Sequence, residues 1–562
     1  MEVTMQAIDL HVHSTHSDGT CTTKELVDLA IYKNLKAIAL TDHDTTEGLE
    51  EIMAYAKDKN IEIVPGIELS TEYFGKDIHI LGLYINPYNP KFREHLTAFQ
   101  ESRVNRNRKM CEKLAEQGIE ITYEELMERF KGAVVTRAHY ARFLLDKGYV
   151  KSMKEAFERY VGDHCKAFVP REKIAPAQAV SLILEAGGIP VLAHPILYRL
   201  SDANLDKLVA ELKEAGLMGI EAVYSTYAPS EERYVKRLAT KYDLLITGGS
   251  DFHGTNKKDI DLGNGRGRLF VPEELLDKIK NAYLERYIPY EKNAKSVLFF
   301  DLDGTLLDDE KTISPRTRAA LEACVAKGHI FVISSGRAYS SIIKIVERLG
   351  LENCNPLISS FNGSQIYHLK NKEMLHSVKL STDIIAEIRD LAKEMGVHLQ
   401  SYSDTKVLTE SINKNVTFYC EYVKNECELL PDIAAEGLET YKLLAVDLDN
   451  RQLLEVFRAK VEEMCAGKVQ CFFSNDWFLE ILPYGTTKGT ALKFVCDYAG
   501  VDYKYSYAFA DAENDLPMLE AAAYPTVLLN GIPAAKAAAR FITFTGNNQE
   551  GLAPFLEKLA KN

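Results

Sequence analysis

The segment DLHVHSTHSDGT, Asp9 to Thr20, gathers three histidines and two aspartates into one short stretch. Imidazoles and carboxylates together suit borderline or hard divalent cations. His11 and His13 are two residues apart, so on a strand both side chains leave the same face. Asp18 follows in a loop. Other apolar runs stop on residues of the same kind: KAIALTDH at His43, IEIVPGIE at Glu68, GIPVLAH at His194, and LLITGGSDFH at Asp251 and His253. His79 lies within or near the end of IHILGLY. A lone HxH is more often a pair of surface or core histidines than a metal site. However, ten of the fourteen histidines precede residue 254, and six of those stand at strand ends beside carboxylates. That pattern points to a single cleft. These nine residues exceed the needs of one ion, so two or three divalent metals (Mn, Zn or Fe) are expected, with Glu68 able to bridge two. Ions about 3.5–4 Å apart can clamp a phosphoryl group and supply a hydroxide nucleophile near neutral pH. His16, His95 and His164 read as structural or solvated.

A second set begins at SVLFFDLDGTLL, which ends an apolar strand on Asp301 and places Asp303 two residues later. A carboxylate there can attack phosphorus and form an aspartyl phosphate. Its neighbour can protonate the leaving oxygen and then activate water. The pair repels itself, so a cation is required, and Mg²⁺ prefers such oxygen ligands. FVISSGR offers Ser335 and Arg337 for phosphoryl oxygens, PYGTTKG offers Lys488, and YAFADAENDLPML ends a strand near Asp511, with Asn514 and Asp515 close behind.

Strand and helix must alternate to bring such groups together. In the first half the runs AIDL, KAIAL, IEIV, IHILGLY, IPVLA, IEAVY and LLITG are separated by helical stretches such as KELVDLAIYKN. This alternation predicts a mostly parallel sheet or barrel, which carries its site at the carboxyl ends of its strands. Between about residues 96 and 168 the strand signal gives way to a helical insertion. The insertion carries Arg103, Arg106 and Arg108, then Arg137, His139 and Arg142. Arginines suit bidentate phosphate capture, although charge runs also form plain solvated faces. Arg103, Arg137 and His139 are the expected phosphate or nucleotide contacts. After the polar stretch LERYIPYEKNAK a new alternation starts, which places a boundary near Asn293 and divides the chain into 1–292 and 293–562.

The motifs HVHSTHSDG, TDHD, GIELS, LAHP and GSDFHG resemble those of the polymerase-and-histidinol-phosphatase (PHP) family. The resemblance is nearest to members acting on nucleoside 3′,5′-bisphosphates and short RNA ends. It implies a distorted seven-stranded β/α barrel and a trinuclear metal centre on His11, His13, Asp18, His43, Glu68, His79, His194, Asp251 and His253. From Ser296 onward the motif order resembles the haloacid-dehalogenase (HAD) superfamily, in its Cof-type sugar-phosphatase branch. This implies a Rossmann-like core, about 293–379 and 483–562, with an α/β cap inserted at about 380–482. It further implies Asp301 as nucleophile and Asp303 as general acid/base, with Ser335 and Lys488 holding the phosphoryl group. Mg²⁺ would be held by Asp301, Asp511 and the backbone of Asp303, while Asn514 and Asp515 shape the site. SFNGSQIY is similar to the branch's NGA segment, which adds Asn362 beside Arg337 as a substrate contact. Ala510 stands where that branch usually has glycine, and Ser335 where it often has threonine.

The chain has 562 residues, a formal net charge of −14 and a pI near 5.6, which argues against wrapping long nucleic acid. A small basic pocket for one phosphate or a short oligonucleotide stays possible. No basic-then-apolar leader and no membrane-length apolar run is visible, and the ten cysteines form no paired framework. A cytoplasmic location is expected. Together these readings predict a bifunctional metal-dependent phosphoesterase. The PHP half would act on a nucleotide phosphomonoester or terminal phosphodiester, and the HAD half on a small metabolite such as a sugar phosphate. The alternatives are a histidinol-phosphatase-like activity in the first half, or a degenerate binding or regulatory module in one half.

Overall fold

A computed structural model describes residues 6–131, 133–162, 164–169, 173–288, 291, 294–403, 405–423, 425–435 and 437–561. The chain divides into two compact units, Met1–Tyr283 and Leu284–Asn562. The boundary expected near Asn293 lies outside the described residues.

Among its described residues the first unit contains seven strands: β1 (Ile8–Val12), β2 (Ala37–Leu40), β3 (Glu62–Tyr73), β4 (Lys76–Leu83), β5 (Ile189–Leu192), β6 (Gly219–Tyr224) and β7 (Leu245–Gly249). They hydrogen-bond in chain order as one sheet. β1, β2, β5 and β6 are buried at every position, which is why they read as continuous apolar runs rather than alternating ones. Helices cover them; Thr23–Tyr32, for example, starts with a reciprocal cap between Thr22 and Glu25.

The expected parallel order holds from β1 to β3 and from β5 to β7. Between them β4 runs antiparallel to both neighbours. The cause is the connection: β3 turns into β4 through Phe74 and Gly75, both at positive φ (47° and 76°). A two-residue turn of that hand makes a hairpin and leaves no length for the helical crossover that a parallel strand needs.

At the other end the sheet nearly closes. Asp251 N–H donates to the His11 carbonyl at 2.9 Å, and His13 N–H donates to the Phe252 carbonyl at 3.0 Å. A Cβ on Gly249 would lie 2.4 Å from the His11 Cβ, so this approach requires glycine. Helices Pro90–Ala115, Tyr123–Arg129, Arg137–Asp146 and Met153–Ala156 fall between β4 and β5 and bury a cluster of their own around Met110, Leu126, Tyr140 and Phe143.

Among its described residues the second unit contains two sheets. Strands β8 (Val297–Asp301), β9 (Ile330–Ser334), β10 (Leu357–Ser360), β11 (Gln365–His368) and β12 (Glu373–Ser377) come first. The chain then builds a six-stranded, mostly antiparallel sheet from β13 (His398–Tyr402), β14 (Val407–Thr409), β15 (Cys427–Leu429), β16 (Leu443–Val446), β17 (Val469–Asn475) and β18 (Phe478–Pro483). It finishes with β19 (Ser506–Ala510), β20 (Tyr524–Val527) and β21 (Phe541–Ile542). The larger sheet has the order β12-β11-β10-β9-β8-β19-β20-β21, with β10 through β21 parallel. Strand order reverses between β8 and β19, and in such sheets the crevice outside the carboxyl ends at that point receives ligands. Among the described residues no helix is long and apolar enough to cross a membrane.

Candidate active sites

In the first unit the nine metal-type residues meet in one cluster. Glu68 stands at its centre. Its Oε2 lies 3.3, 3.2 and 3.1 Å from nitrogens of His11, His13 and His43. Its Oε1 lies 2.7 and 3.0 Å from His79 Nδ1 and His194 Nε2. Asp251 Oδ1 faces His253, His13 and His11 at 3.3, 3.4 and 3.6 Å, while Asp18 Oδ1 faces His253 at 3.2 Å. His79 reaches the cluster from inside its strand, because the antiparallel β4 presents its early residues at the end where the parallel strands present their last. His194 and Asp251 have positive φ (26° and 57°), a conformation that costs energy in non-glycine residues and concentrates at functional sites.

These residues fit divalent cations. Two ligands about 2.1 Å from a common ion stand about 3–3.5 Å apart, which is the spacing just described. His11 Nε2, His13 Nε2, Asp18 Oδ1, His43 Nδ1 and Glu68 Oε2 are buried and make no hydrogen bond, which in an apolar interior is costly unless an ion is bound. Burial alone would raise the Glu68 pKa, yet the surrounding imidazoles, His43 and His79 foremost, hold it well below the usual carboxylate range.

Sequence reasoning missed the groups that orient the ligands. Glu221 Oε1 meets His11 Nδ1 at 3.0 Å, and Tyr224 and Lys257 donate to Asp251 Oδ2 at 2.6 and 2.5 Å. The signal for Glu221 was present: a carboxylate in the middle of the apolar run IEAVY.

The expected substrate contacts divide. Arg103 donates to Asp44 and, at 3.2 Å, to Ser70, beside His43 and His79. His139 Nδ1 accepts from Thr136 N–H at 2.9 Å, and the Thr136 hydroxyl donates to Asp18 at 3.3 Å, so His139 also borders the cluster. Arg137 pairs instead with Asp77 at 3.4 Å.

In the second unit Asp301 ends β8 at the switch point. Lys488, the first residue of helix Lys488–Ala499, is fully buried and donates to Asp301 and, at 2.5 Å, to Asp515. Asp515 in turn accepts from the backbone N–H groups of Asp511 and Ala512 at 3.3 and 3.1 Å. Oxygens of Asp301, Asp511 and Asp515 converge closely enough to hold a cation. Burial and the Asp515 carboxylate push Asp301 well above the usual range against the pull of Lys488, and burial pushes Asp511 up to about 6. One lysine among three carboxylates leaves negative charge to be neutralised, and an oxygen-liganded divalent ion fits that requirement.

Asp303 is oriented differently. Arg337 Nε and Nη2 grip both its oxygens at 2.7 and 3.0 Å, and Lys311 adds a bond at 2.8 Å. Despite burial, these cations lower the Asp303 pKa. Arg337, expected to face phosphoryl oxygens, therefore sits on the neighbouring carboxylate. Ser335 is buried at the end of β9, and its hydroxyl accepts from Arg337 N–H at 3.2 Å. Asn362 has a left-handed backbone (φ 53°), and its Oδ1 accepts from Asn514 at 3.5 Å.

The comparisons agree with this division. The PHP domain family matches residues 9–173, and the haloacid dehalogenase-like hydrolase family matches residues 298–556. The chain joins a PHP domain to a haloacid dehalogenase-like hydrolase domain. Its PHP half is similar to a 5'-3' exoribonuclease of Haemophilus influenzae, 37% identical over 245 residues, covering 44% of this chain and 89% of that relative. It is also similar to a 3',5'-nucleoside bisphosphate phosphatase of Chromobacterium violaceum, 33% identical over 261 residues, covering 46% of this chain and 92% of that one. The HAD half is similar to a crystal structure of a haloacid dehalogenase-like hydrolase from Bacteroides thetaiotaomicron, with 26% identity, a TM-score of 0.43, and coverage of 47% of this chain and 98% of that one.

Proposed function

We propose that each half is a working phosphatase with its own substrate class. The PHP half takes a nucleotide, as the monoester of a nucleoside 3′,5′-bisphosphate or the terminal phosphodiester of a short RNA. The HAD half takes a small phosphorylated metabolite such as a sugar phosphate. The observation that carries the first reading is Glu68, whose two oxygens face five imidazoles. The names of the two PHP relatives support a nucleotide.

In the PHP half the nine clustered residues would hold two or three ions of Mn, Zn or Fe. Bound there, the metals would polarise the phosphoryl oxygens and make water acidic enough to attack near neutral pH. The chain's own part is to fix that geometry and to bind the ester. Arg103 and His139 border the cluster and would meet a second phosphate or a ribose. Arg137, paired with Asp77, is a further candidate.

In the HAD half Asp301 attacks phosphorus, and the bond to the leaving oxygen breaks as Asp303, which must first take up a proton against the pull of Arg337 and Lys311, passes that proton to the leaving oxygen. Asp303 then takes a proton from the water that hydrolyses the aspartyl phosphate. Ser335 and Lys488 hold the phosphoryl oxygens, and Asn514 and Asp515 hold the loop around Asp511. Mg²⁺ on Asp301, Asp511 and the Asp303 backbone would neutralise the charge that gathers there. The six-stranded sheet serves as the cap, and Asn362 and Arg337, the latter once released from Asp303, would meet the leaving group.

The test is phosphate release with Mn²⁺ and Mg²⁺ from adenosine 3′,5′-bisphosphate, 5′-phosphorylated short RNA and hexose phosphates. Wild type is compared with Asp251→Asn and Asp301→Asn. Nucleotide activity lost only in the first variant and sugar-phosphate activity lost only in the second would establish two independent phosphatases. If Asp251→Asn changed nothing, the barrel would have to be reread as a binding module.

A further inference from the structure

The six-stranded sheet of the second unit buries a charged pair that the phosphatase chemistry leaves unused. Lys442 enters β16 and is 3% exposed, and Glu480 on β18 is 6% exposed. The Lys442 ammonium donates to Glu480 Oε2 at 2.7 Å and lies 4.9 Å from the centre of the Tyr402 ring. Burial alone would favour the neutral amine, but the Glu480 carboxylate outweighs it and holds the lysine charged.

The alternation of β16 and β18 gives the pair its direction. Leu443, Ala445, Leu479 and Ile481 point into the cluster under the sheet's long helices. Leu444, Val446 and Phe478 point the other way, onto Tyr402, Tyr419, Tyr441 and Phe361. Glu480 pairs with Leu444 across the strands, and Lys442 precedes Leu444 by two, so both charges lie on that second face. Phe361 belongs to the loop after β10, in the sheet that carries Asp301. The charged pair is therefore on the face turned toward the catalytic core.

Its third partner is in that core. The Lys442 ammonium also donates to the Gly336 carbonyl at 3.1 Å. Gly336 sits between Ser335 and Arg337, and the carbonyls on either side of it are already engaged. Asn362 N–H donates to the Ser335 carbonyl and Phe361 N–H to the Arg337 carbonyl, both at 3.0 Å. The Gly336 carbonyl is bound from the other sheet. Buried ion pairs are weak contributors to stability and can often be replaced by apolar side chains at no cost, so stability alone does not explain this one.

We propose that Lys442 is a positioning residue for the HAD half's reaction. By binding the Gly336 carbonyl it fixes the Ser335–Arg337 loop, so that the loop reaches its working geometry only while the six-stranded sheet is seated on the core. Glu480 holds the ammonium in place. The inference rests on Asp301 acting as the nucleophile of this half.

The test uses the full-length chain with a hexose phosphate that the wild type hydrolyses, measuring kcat and KM separately. Lys442→Met should lower kcat by about tenfold or more, since small misplacements of a catalytic loop are costly, with KM moving far less. Metal content and phosphate release by the PHP half should stay at wild-type levels. Lys442→Arg, which can still donate to both acceptors, should recover much of the lost kcat. Glu480→Gln, which preserves the packing, should shift kcat the same way by a smaller factor, and it carries the test if Lys442→Met does not fold. Unchanged kcat in Lys442→Met, or in Glu480→Gln where only that variant folds, would overturn the proposal. So would a loss that follows lowered stability and is not rescued by arginine. An Asp301→Asn variant with wild-type turnover would instead remove the nucleophile reading, and this inference with it.

Discussion

Glu221 holds two of the clustered histidines at once: its Oε1 meets His11 Nδ1 at 3.0 Å, and its Oε2 accepts the His194 backbone N–H at 2.8 Å. A proton held on Nδ1 by Glu221 would leave the His11 Nε2 lone pair to a cation beside Glu68 and Asp251. Such partners tune a ligand as much as they place it. Glu221→Ala should weaken metal binding by about 10–100-fold, read by competition with a chromophoric chelator, while sugar-phosphate turnover persists. Wild-type affinity in the variant would remove Glu221 from the centre.

Metal removal should destabilise the first unit selectively. Its buried carboxylates and imidazoles are arranged for a cation, and a ligand present at about 100 times its Kd adds about 2.7 kcal/mol to the folded state. Calorimetry of the chelated protein should therefore show one transition moving upward as Mn²⁺ or Zn²⁺ is restored. A melting profile indifferent to both ions would argue against a resident metal.

In the second unit, Lys488→Met should cost about 3–5 kcal/mol, because it leaves Asp301 and Asp515 buried without their cation. Adding Asp301→Asn removes one of the stranded charges and should restore part of that loss. Urea unfolding of the two single variants and the double variant measures the coupling. Strict additivity would mean that the ammonium does not compensate Asp301.

Much of this arrangement could be read from residue order, because ligand types stand where apolar runs stop. Strand polarity could not be read that way, since hydrophobic periodicity is the same in either direction. The antiparallel β4 was signalled only by the shortness of Tyr73-Phe74-Gly75-Lys76, which cannot hold a crossover. Glu221, Tyr224 and Lys257 escaped because they act through other side chains and belong to no motif. The seat of Arg337 on Asp303 was hidden for a different reason: an arginine beside a phosphate site and one gripping a carboxylate look alike in sequence.

The stability of the second unit should also depend on His329. Its Nδ1 accepts the Ser296 N–H at 3.2 Å, just ahead of β8, and burial followed by Lys327 lowers its pKa. The unfolded chain therefore takes up a proton that the folded one resists. The stability this contact contributes is complete above the ordinary histidine range and is lost as pH falls through it. His329→Asn keeps an acceptor without a titrating ring, so its urea midpoint should fall less than that of the wild type between pH 7 and pH 5. Parallel curves would show that His329 titrates equally in both states.

The bond between Lys488 and Asp301 spans 187 positions of the chain. At about 5–20 residues per second of synthesis, roughly 10–40 s separate the appearance of the Asp301 carboxylate from that of its counter-charge. Every residue of the metal cluster, from His11 to His253, has by then left the ribosome's decoding centre. The barrel can mature while the rest of the chain is still being made. The phosphatase core, whose β19 to β21 come last, must wait with an unneutralised Asp301 and an open sheet edge beside β8. A nascent chain stalled within the six-stranded sheet would carry one finished barrel and one exposed half-sheet, so chaperone demand should be concentrated in the second half of translation.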